Sequence, residues 1–439
     1  MKIYLDTIGC RLNLAEIERY ACQFRAAGFT LVADPKEADL AVINTCAVTN
    51  AAVSDSRQKV RWMARSGVDQ VIVTGCWASL RAEEAATLPA VRGVVHNLEK
   101  DELVPDFLEE QVALQSPRRD YHRESIQSAI GETTDYCQSI PQSRLRTRAF
   151  IKAQDGCDNR CTFCIATLAR GPARSRSIDD VLKDIESATS AKEVVLSGLH
   201  LGSWGQDFSP PLRLQHLVQA ILDRTDLPRL RLSSLEPWDM EIGLIELWEN
   251  QRLCPHVHLP LQSGCGATLR RMARNTTPES YAKLVAMVRA DAPEMAITTD
   301  IITGFPGESE AEFQESLAFV RSIHFAGGHV FTFSARPGTV AASMPDQVPF
   351  PTRKERNALM QAAFKEASRA YQVSFTGRVL PVLWESVVSS NQEDFEISGL
   401  TGNYIRVNAH ASQNLWNRIT PVRLNTLVDG HVEGSIIQE

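Results

Sequence analysis

Cys157, Cys161 and Cys164 lie in the spacing CxxxCxxC, inside the stretch Asp155-Gly156-Cys157-Asp158-Asn159-Arg160-Cys161-Thr162-Phe163-Cys164. That spacing puts three thiolates within reach of one metal centre and offers no fourth cysteine nearby. A cubane iron-sulfur cluster held by four cysteines is coordinatively full and suits electron transfer. Three cysteines leave one iron open, and an open position is where a substrate or cosubstrate binds a metal. Two plainer readings compete. A zinc knuckle wants a fourth Cys or His, yet the nearest histidines on either side are His122 and His200. Three unrelated core thiols would be chance: ten Cys in 439 residues is a frequency of ~0.02, so this triplet arises at random in roughly one such sequence in two hundred. An open cluster is therefore the expectation.

At 439 residues the chain has room for two or three domains. It holds no run of eighteen apolar residues, and Met1-Lys2-Ile3-Tyr4 opens no apolar signal region, so a soluble cytoplasmic protein without membrane contact is expected. In a reducing compartment its cysteines read as metal ligands rather than a disulfide framework. The net charge of -7 excludes a generally basic coat for nucleic acid. Any RNA contact must use local patches.

The first hundred residues alternate strands and helices. Strands are predicted at Ile3 to Thr7, Leu40 to Asn44 and Gln70 to Thr74, and Asn13-Leu14-Ala15-Glu16 has the spacing of a capping box opening a helix that Gly28 can end. This is an α/β domain with a parallel sheet. Each strand runs into a cysteine: Ile8-Gly9-Cys10, Asn44-Thr45-Cys46 and Thr74-Gly75-Cys76. Right-handed connections place successive strand ends on one edge of a parallel sheet, so Cys10, Cys46 and Cys76 should gather where such sheets bind ligands. A lone Cys after a buried strand is ordinarily a small core residue. Three placed alike predict a second three-thiolate metal site. Cys22, inside a predicted helix, reads as core.

Residues 111–147 turn polar and read as a linker, with Cys137 a bystander. The run Arg144-Leu145-Arg146-Thr147-Arg148 is either a solvated face or one bank of an RNA groove. From 148 to 371 the alternation resumes, with strands predicted at Phe150 to Ala153, Glu193 to Ser197, Arg229 to Ser234, Val257 to Leu261, Ala296 to Ile302 and Gly328 to Phe333. Six such units predict a partial (β/α)6 barrel with its chemistry at the carboxyl ends of the strands. There, Gly198 and His200 in Gly198-Leu199-His200-Leu201-Gly202, Ser234, Glu236, Gln262 and the Thr303-Gly304-Phe305-Pro306-Gly307-Glu308 turn offer backbone approach, hydroxyl, carboxylate and amide groups, although Gly and Ser after strands are also ordinary turn chemistry. After a helix from Arg353 to Val373, residues 372–439 carry short strands at Gly377 to Glu385, Glu396 to Leu400, Tyr404 to Val407 and Thr420 to Leu427, the pattern of a small antiparallel barrel. That stretch holds four Arg, no Lys and seven Asp or Glu. Its electrostatic case for RNA binding is poor.

CxxxCxxC after the basic apolar strand Arg148-Ala149-Phe150-Ile151-Lys152 resembles the radical S-adenosylmethionine superfamily, and over nearly all its length the chain resembles the methylthiotransferases. Gln154-Asp155-Gly156-Cys157-Asp158-Asn159, Gly198-Leu199-His200-Leu201-Gly202-Ser203-Trp204-Gly205 and Gly399-Leu400-Thr401-Gly402-Asn403-Tyr404-Ile405-Arg406-Val407 look most like the branch acting on threonylcarbamoyladenosine in tRNA. The resemblance implies an amino-terminal domain over 1–110, a radical S-adenosylmethionine domain over 148–371 and a TRAM-like barrel over 372–439. It implies two 4Fe-4S clusters, on Cys10, Cys46 and Cys76 and on the catalytic Cys157, Cys161 and Cys164. S-adenosylmethionine would supply the methyl group and the radical, lying against Gly198, His200, Ser234, Glu236, Gln262 and Gly304. A radical is needed because the target adenine carbon has no acidic proton for an ordinary base. The substrate is then the tRNA anticodon loop, met by Arg144, Arg146, Arg148, Arg170, Arg174 and Arg176, of which the last three also suit a substrate carboxylate. The enzyme would be a monomer fed by a flavodoxin- or ferredoxin-like reductant. One departure is Ile165-Ala166-Thr167, where the family usually has Ile-Ile-Pro or Ile-Val-Pro, so a fixed backbone angle is lost. Three alternatives stay open: a ribosomal-protein aspartate as substrate, isopentenyladenosine tRNA as substrate, or a non-catalytic iron-sulfur RNA-binding or electron-carrier protein.

Overall fold

Leu40–Thr45 and Val71–Gly75 are buried at every position, as strands covered on both faces must be. They are β3 and β4 of a five-stranded sheet of order β2-β1-β3-β4-β5, in which β1 is Lys2–Thr7, β2 Thr30–Leu31 and β5 Val91–Val95. All neighbours pair in parallel. The structure, a computed structural model, describes residues 1–115, 147–188, 190–391 and 394–437. Most of the expected linker, with Cys137, Arg144 and Arg146, lies outside the described residues.

Helices cover both faces of this sheet: α1 (Arg11–Ala26), α2 (Asn50–Arg65), α3 (Cys76–Leu80), α4 (Ala82–Ala86) and α5 (Leu103–Gln115). On one face Val60 and Met63 of α2 and Trp77 of α3 pack with Tyr4, Ala41, Ile43 and Val73. On the other, Ile17, Tyr20 and Phe24 of α1 and Phe107 of α5 pack with Ile3, Leu5 and Val42. The parallel α/β domain is as expected. The capping box is not: Cys10 is the N-cap of α1, and Asn13 and Glu16 are buried inside the helix. Their polarity serves tertiary partners described below.

The chain forms two compact units. The first joins this domain to Phe150–Asp158 and Ile165–Ser190, and the second holds Asn159–Cys164 and Ala191–Glu439. β6 (Arg148–Lys152) runs from the second unit into the first. The first unit also contains the antiparallel ribbon of β7 (Gln154–Asp155) and β8 (Arg174–Ser175), and the helices α6 (Ala166–Arg170) and α7 (Ile178–Ser187). The segment after Cys164 closes the helical turn α6, with Ala169 N donating to the Ile165 carbonyl at 3.1 Å.

In the second unit, β9 (Glu193–Ser197) and β10 (Arg229–Leu232) pair in parallel. Single bridges at Leu230 with Leu253 and Ser234 with His258 lead on to β11 (His256–His258), β12 (Ala296–Thr303) and β13 (Gly327–Thr332), again parallel. Helices α8 (Leu214–Arg224), α9 (Ile242–Ile245), α10 (Gly266–Arg271), α11 (Pro278–Asp291), α12 (Glu310–Ile323) and α13 (Phe350–Val373) intervene and follow. This is the expected partial (β/α)6 arrangement. Five strands then close a small barrel in the order β14-β15-β16-β18-β17: β14 (Val379–Ser390), β15 (Phe395–Thr401), β16 (Arg406–Ala411), β17 (Ile419–Val428) and β18 (His431–Ile436). Its pairs are antiparallel except β16 with β18. The sequence reading missed β18. Its signal was the Asp429-Gly430 dipeptide, both residues at positive φ (46° and 86°), which is the chemistry of a tight hairpin.

Within the second unit, arginines of β10 reach the barrel backbone. Arg229 donates to the carbonyls of Leu400 (3.0 Å) and Pro381 (2.5 Å), and Arg231 to that of Gly402 (2.9 Å). The Gly399 to Val407 stretch thus docks the barrel onto the βα strands. Tyr404 stacks on His256 at 4.5 Å between ring centroids. Among the described residues no helix is long and apolar enough to cross a membrane.

Candidate functional site

The order 2-1-3-4-5 reverses direction between β1 and β3, and ligands of such sheets bind in the crevice outside the carboxyl ends at that point. Cys10 follows β1, Cys46 follows β3, and Cys76 opens α3 directly after β4. Two glycines let the loops close up. A Cβ on Gly9 (φ +113°) would stand 2.6 Å from the Cβ of Cys46, and one on Gly75 (φ +96°) would stand 2.3 Å from the Thr45 carbonyl oxygen. Burial above all pushes the Cys46 thiol up to about 11, opposed first by a backbone hydrogen bond from Val48 N, with smaller raising contributions from Cys10 and Cys76 and a still smaller lowering one from Arg170. The three thiols therefore sit within electrostatic reach of one another. None is in a disulfide.

The donor set is soft, cysteine-only and at a ligand crevice, which fits an iron-sulfur cluster. Among the described residues no three His, Cys, Asp or Glu side chains close around a single metal ion. A cluster of several irons spreads its thiolates more widely than one ion does.

Beneath these thiols lies a buried charged network, all within the first unit. Arg170 of α6 donates to Asn13 Oδ1 (2.5 Å), Glu16 Oε1 (2.9 Å) and Asp155 Oδ1 (2.8 Å). Lys100 bridges Glu16 and Asp155, and Lys152 reaches Asp101 at 2.5 Å. Asn13 in turn donates to the carbonyls of Ile8 (2.8 Å) and Thr45 (3.0 Å), and the Cys10 thiol points at its Oδ1 at 3.6 Å. Burial alone would raise the Glu16 and Asp155 carboxyls. Arg170, Lys100 and Lys152 outweigh it and hold Glu16 below, and Asp155 well below, the usual range.

Around the second triplet, Cys157 N donates to the Gly171 carbonyl (3.1 Å) and Cys164 N to that of Cys161 (3.1 Å). A Cβ on Gly156 would fall 1.8 Å from the Pro172 oxygen, so only glycine admits this approach. Phe163 packs into the cluster of Met272, Phe305 and Phe333. This gives the turn containing Gly304 (φ +71°) a structural task. Arg274 Nη1 lies 3.6 Å from the Cys161 sulfur and pairs with both oxygens of Glu236, at 3.0 and 2.5 Å. Its guanidinium covers Trp238, 4.8 Å from the ring, and its buried Nε has no hydrogen-bond partner among the described residues. His200 meets the edge of Trp238, holds Asp239 at 2.7 Å and approaches Asn159 at 3.5 Å. A Cβ on Gly202 would overlap Asp239, which explains that glycine. Glu236 and His200 are thus linked to Cys161 through Arg274 and Trp238. Gln262 adopts left-handed φ (+75°) without being glycine, a strained backbone of the kind found at ligand sites. Gly198, Ser234 and Gln262 are half-buried.

One expectation needs correction. Arg170 cannot meet phosphate or a substrate carboxylate, because its side chain is 1% exposed and committed to two carboxylates. Arg148 and Arg176 are partly exposed and carry ion pairs, with Glu385 at 2.7 Å and Asp184 at 2.5 Å. Arg174 is open, 37% exposed with its nearest carboxylate 3.8 Å away. Sequence reasoning missed Arg274, Asp239, Asn13, Glu16 and Lys100. Only Asn13 and Glu16 carried a signal, as polar residues where an amphipathic helix should have been apolar.

Comparison with known proteins agrees with this geometry. Residues 2–96 match the "Uncharacterized protein family UPF0004" and residues 151–320 the "Radical SAM superfamily". The chain is 32% identical to threonylcarbamoyladenosine tRNA methylthiotransferase MtaB of Bacillus subtilis, over 99% of this chain and 96% of that protein. It is 30% identical to tRNA-2-methylthio-N(6)-dimethylallyladenosine synthase of Acetivibrio thermocellus, over 100% of this chain and 91% of that protein. Among solved structures, the radical S-adenosylmethionine methyltransferase TsrM of Kitasatospora setae superposes with a TM-score of 0.56 at 14% identity, over 78% of this chain and 74% of that one. That likeness is one of fold.

Proposed function

The chain belongs to the radical S-adenosylmethionine methylthiotransferases, and on that premise we propose that it converts N6-threonylcarbamoyladenosine beside the tRNA anticodon to its 2-methylthio derivative. Methylthiotransfer is supported by two thiol sets on separate scaffolds, one at a sheet crevice and one on the CxxxCxxC loop, and the threonylcarbamoyl substrate by the 32% identical relatives that carry that name. One set alone would serve radical generation but leave sulfur without a holding site.

When bound, two 4Fe-4S clusters and S-adenosylmethionine supply the electron, the radical, the sulfur-bearing site and the methyl group. The chain's residues position them. Cys157, Cys161 and Cys164 would hold the cluster that reacts with S-adenosylmethionine, and Cys10, Cys46 and Cys76 would hold the other. Arg274 keeps Glu236 oriented beside Cys161, and Asp239 fixes the His200 ring. Ser234, Gln262 and the backbone at Gly198 line the same strand ends as candidate contacts for S-adenosylmethionine. Of the arginines named from the sequence, Arg174 is the described one with the most exposed side chain, and it is a candidate to meet a carboxylate of the substrate. The reaction is assigned to the cytoplasm, with a flavodoxin- or ferredoxin-like electron donor.

A second reading, dimethylallyladenosine tRNA as substrate, is favoured by the 30% identical relatives that carry that name. A threonylcarbamoyl group brings a carboxylate and a hydroxyl, and a site built for them rejects a substrate lacking them by ~10⁴ or more in favourable cases. The test supplies anaerobically reconstituted enzyme with tRNA carrying either modification and measures the methylthio product by mass spectrometry. Product on the threonylcarbamoylated tRNA is expected. Product on the dimethylallylated tRNA alone would transfer the assignment to the second reading.

A further inference from the structure

Arg170 stands where two thiol-bearing loops of the first unit meet. Through Asn13 it is tied to Ile8, Thr45 and the Cys10 thiol. Through Asp155, whose Oδ1 also accepts from Gly156 N at 2.8 Å, it is tied to the backbone entering Cys157. Its helix α6 packs on α3, which begins with Cys76: Ala169 shares a core cluster with Cys76, Trp77 and Ala78, and the Asn97 amide donates to the Ala169 carbonyl at 2.8 Å.

Burying a guanidinium is costly unless its surroundings compensate it. In the fully buried part of this network three cations, Arg170, Lys100 and Lys152, face two carboxylates, Glu16 and Asp155. The next anion, Asp101, lies at the rim, 41% exposed and shared with Arg19. Lys152 takes Asp101 as its own counter-charge at 2.5 Å, and within this network Arg170 is the cation tied towards the thiols, through Asn13 and the Cys10 sulfur. A thiolate-ligated cluster bears negative charge, which a guanidinium placed there would stabilise. Adding an electron to such a cluster is easier beside a fixed cation, since cluster potentials follow net charge and the groups around the sulfurs.

We propose that Arg170 is a positioning residue that sets the reduction potential of the amino-terminal cluster while anchoring the loop into Cys157, so that one side chain couples the two thiol sites. This rests on the two-cluster reading above. Arginine is permanently charged, so the device is a fixed charge rather than a titrating switch.

The experiment uses full-length protein carrying Cys157→Ala, which isolates the amino-terminal cluster, reconstituted anaerobically with iron and sulfide. Iron content is measured, and the cluster is titrated with dithionite and followed by electron paramagnetic resonance. Arg170→Met should retain the iron and lower the midpoint by at least a tenfold change in the reduction equilibrium, about 59 mV for a one-electron couple. Arg170→Lys should restore most of that change. Glu16→Gln removes an anion from the same network and should shift the midpoint upward, so the charge argument stays testable if Arg170→Met loses its cluster. Unchanged midpoints in iron-replete Arg170→Met or in Glu16→Gln would overturn the proposal. A parent Cys157→Ala protein that binds no iron would instead remove the two-cluster reading, and this inference with it.

Discussion

Arg231 grips Glu193 with both arms of its fork, Nε to Oε1 at 2.6 Å and Nη2 to Oε2 at 3.1 Å, and neither side chain has any exposed surface. The same guanidinium reaches the barrel carbonyl of Gly402 at 2.9 Å. A pair of residues on adjacent parallel strands thus fixes the donor that docks the terminal barrel.

Removing one partner of a buried pair leaves the other charge uncompensated, at a cost of about 3–5 kcal/mol. Glu193→Gln should therefore destabilise the second unit by about that amount, whereas the double change Glu193→Leu with Arg231→Met should recover part of it. Denaturant unfolding checks both. Equal stability of wild type and Glu193→Gln would show that the pair is dispensable.

Gly75→Ala puts a methyl group 2.3 Å from the Thr45 carbonyl at a φ of +96°. Strain of about 1–3 kcal/mol follows, borne by the turn that presents Cys76. Iron bound after reconstitution should fall from about eight to about four atoms per chain, from two cubanes to one. Full iron content in this variant would mean that the turn relaxes without disturbing the site.

The two thiol sets should separate functionally. Cys157→Ala should abolish reductive cleavage of S-adenosylmethionine, and Cys46→Ala should leave cleavage intact but stop sulfur insertion. Counting 5′-deoxyadenosine and methylthio product in parallel distinguishes them. A wild-type protein holding one cluster after full reconstitution sinks the division.

Since Arg148 and Arg176 are paired and Arg170 is buried, Arg174 should contribute more to RNA binding than those three. Arg174→Gln should flatten the salt dependence of tRNA binding by about 0.7 to 0.9 in slope, one phosphate's worth. Arg176→Gln should change it by much less. The reverse ranking would show that Arg176 leaves Asp184 to meet phosphate.

Glu16 and Asp155 lie below their ordinary values of 4.5 and 3.8 because neighbouring cations outweigh burial. In that direction the unfolded chain binds protons first on acidification. The stability these carboxylates contribute is complete above about pH 4.5 and is lost as pH falls below it. In cluster-free protein, Glu16→Gln should lower the melting temperature at pH 7 and reduce the loss between pH 5 and pH 3. An unaltered acid limb would show that Glu16 binds its proton equally well in the folded and unfolded chain.

The placement of the thiols was legible in the sequence because its information is local. Cys157, Cys161 and Cys164 fall within eight residues, and Cys10, Cys46 and Cys76 each follow a strand whose parallel pairing and right-handed connections dictate which edge they share. The alternating strands and helices and the small terminal barrel were legible for the same reason, since burial on one or both faces writes a short period into the chain. The charged residues were not. Arg170 meets Glu16 across 154 positions, and Arg274 meets Cys161 across 113. A buried arginine and a solvated one have the same local pattern, so Arg170 read as an RNA contact and Asn13 and Glu16 as a helix cap. Only the tertiary structure decided otherwise, because desolvation forces each buried charge to find its counter-charge and distant segments supply it.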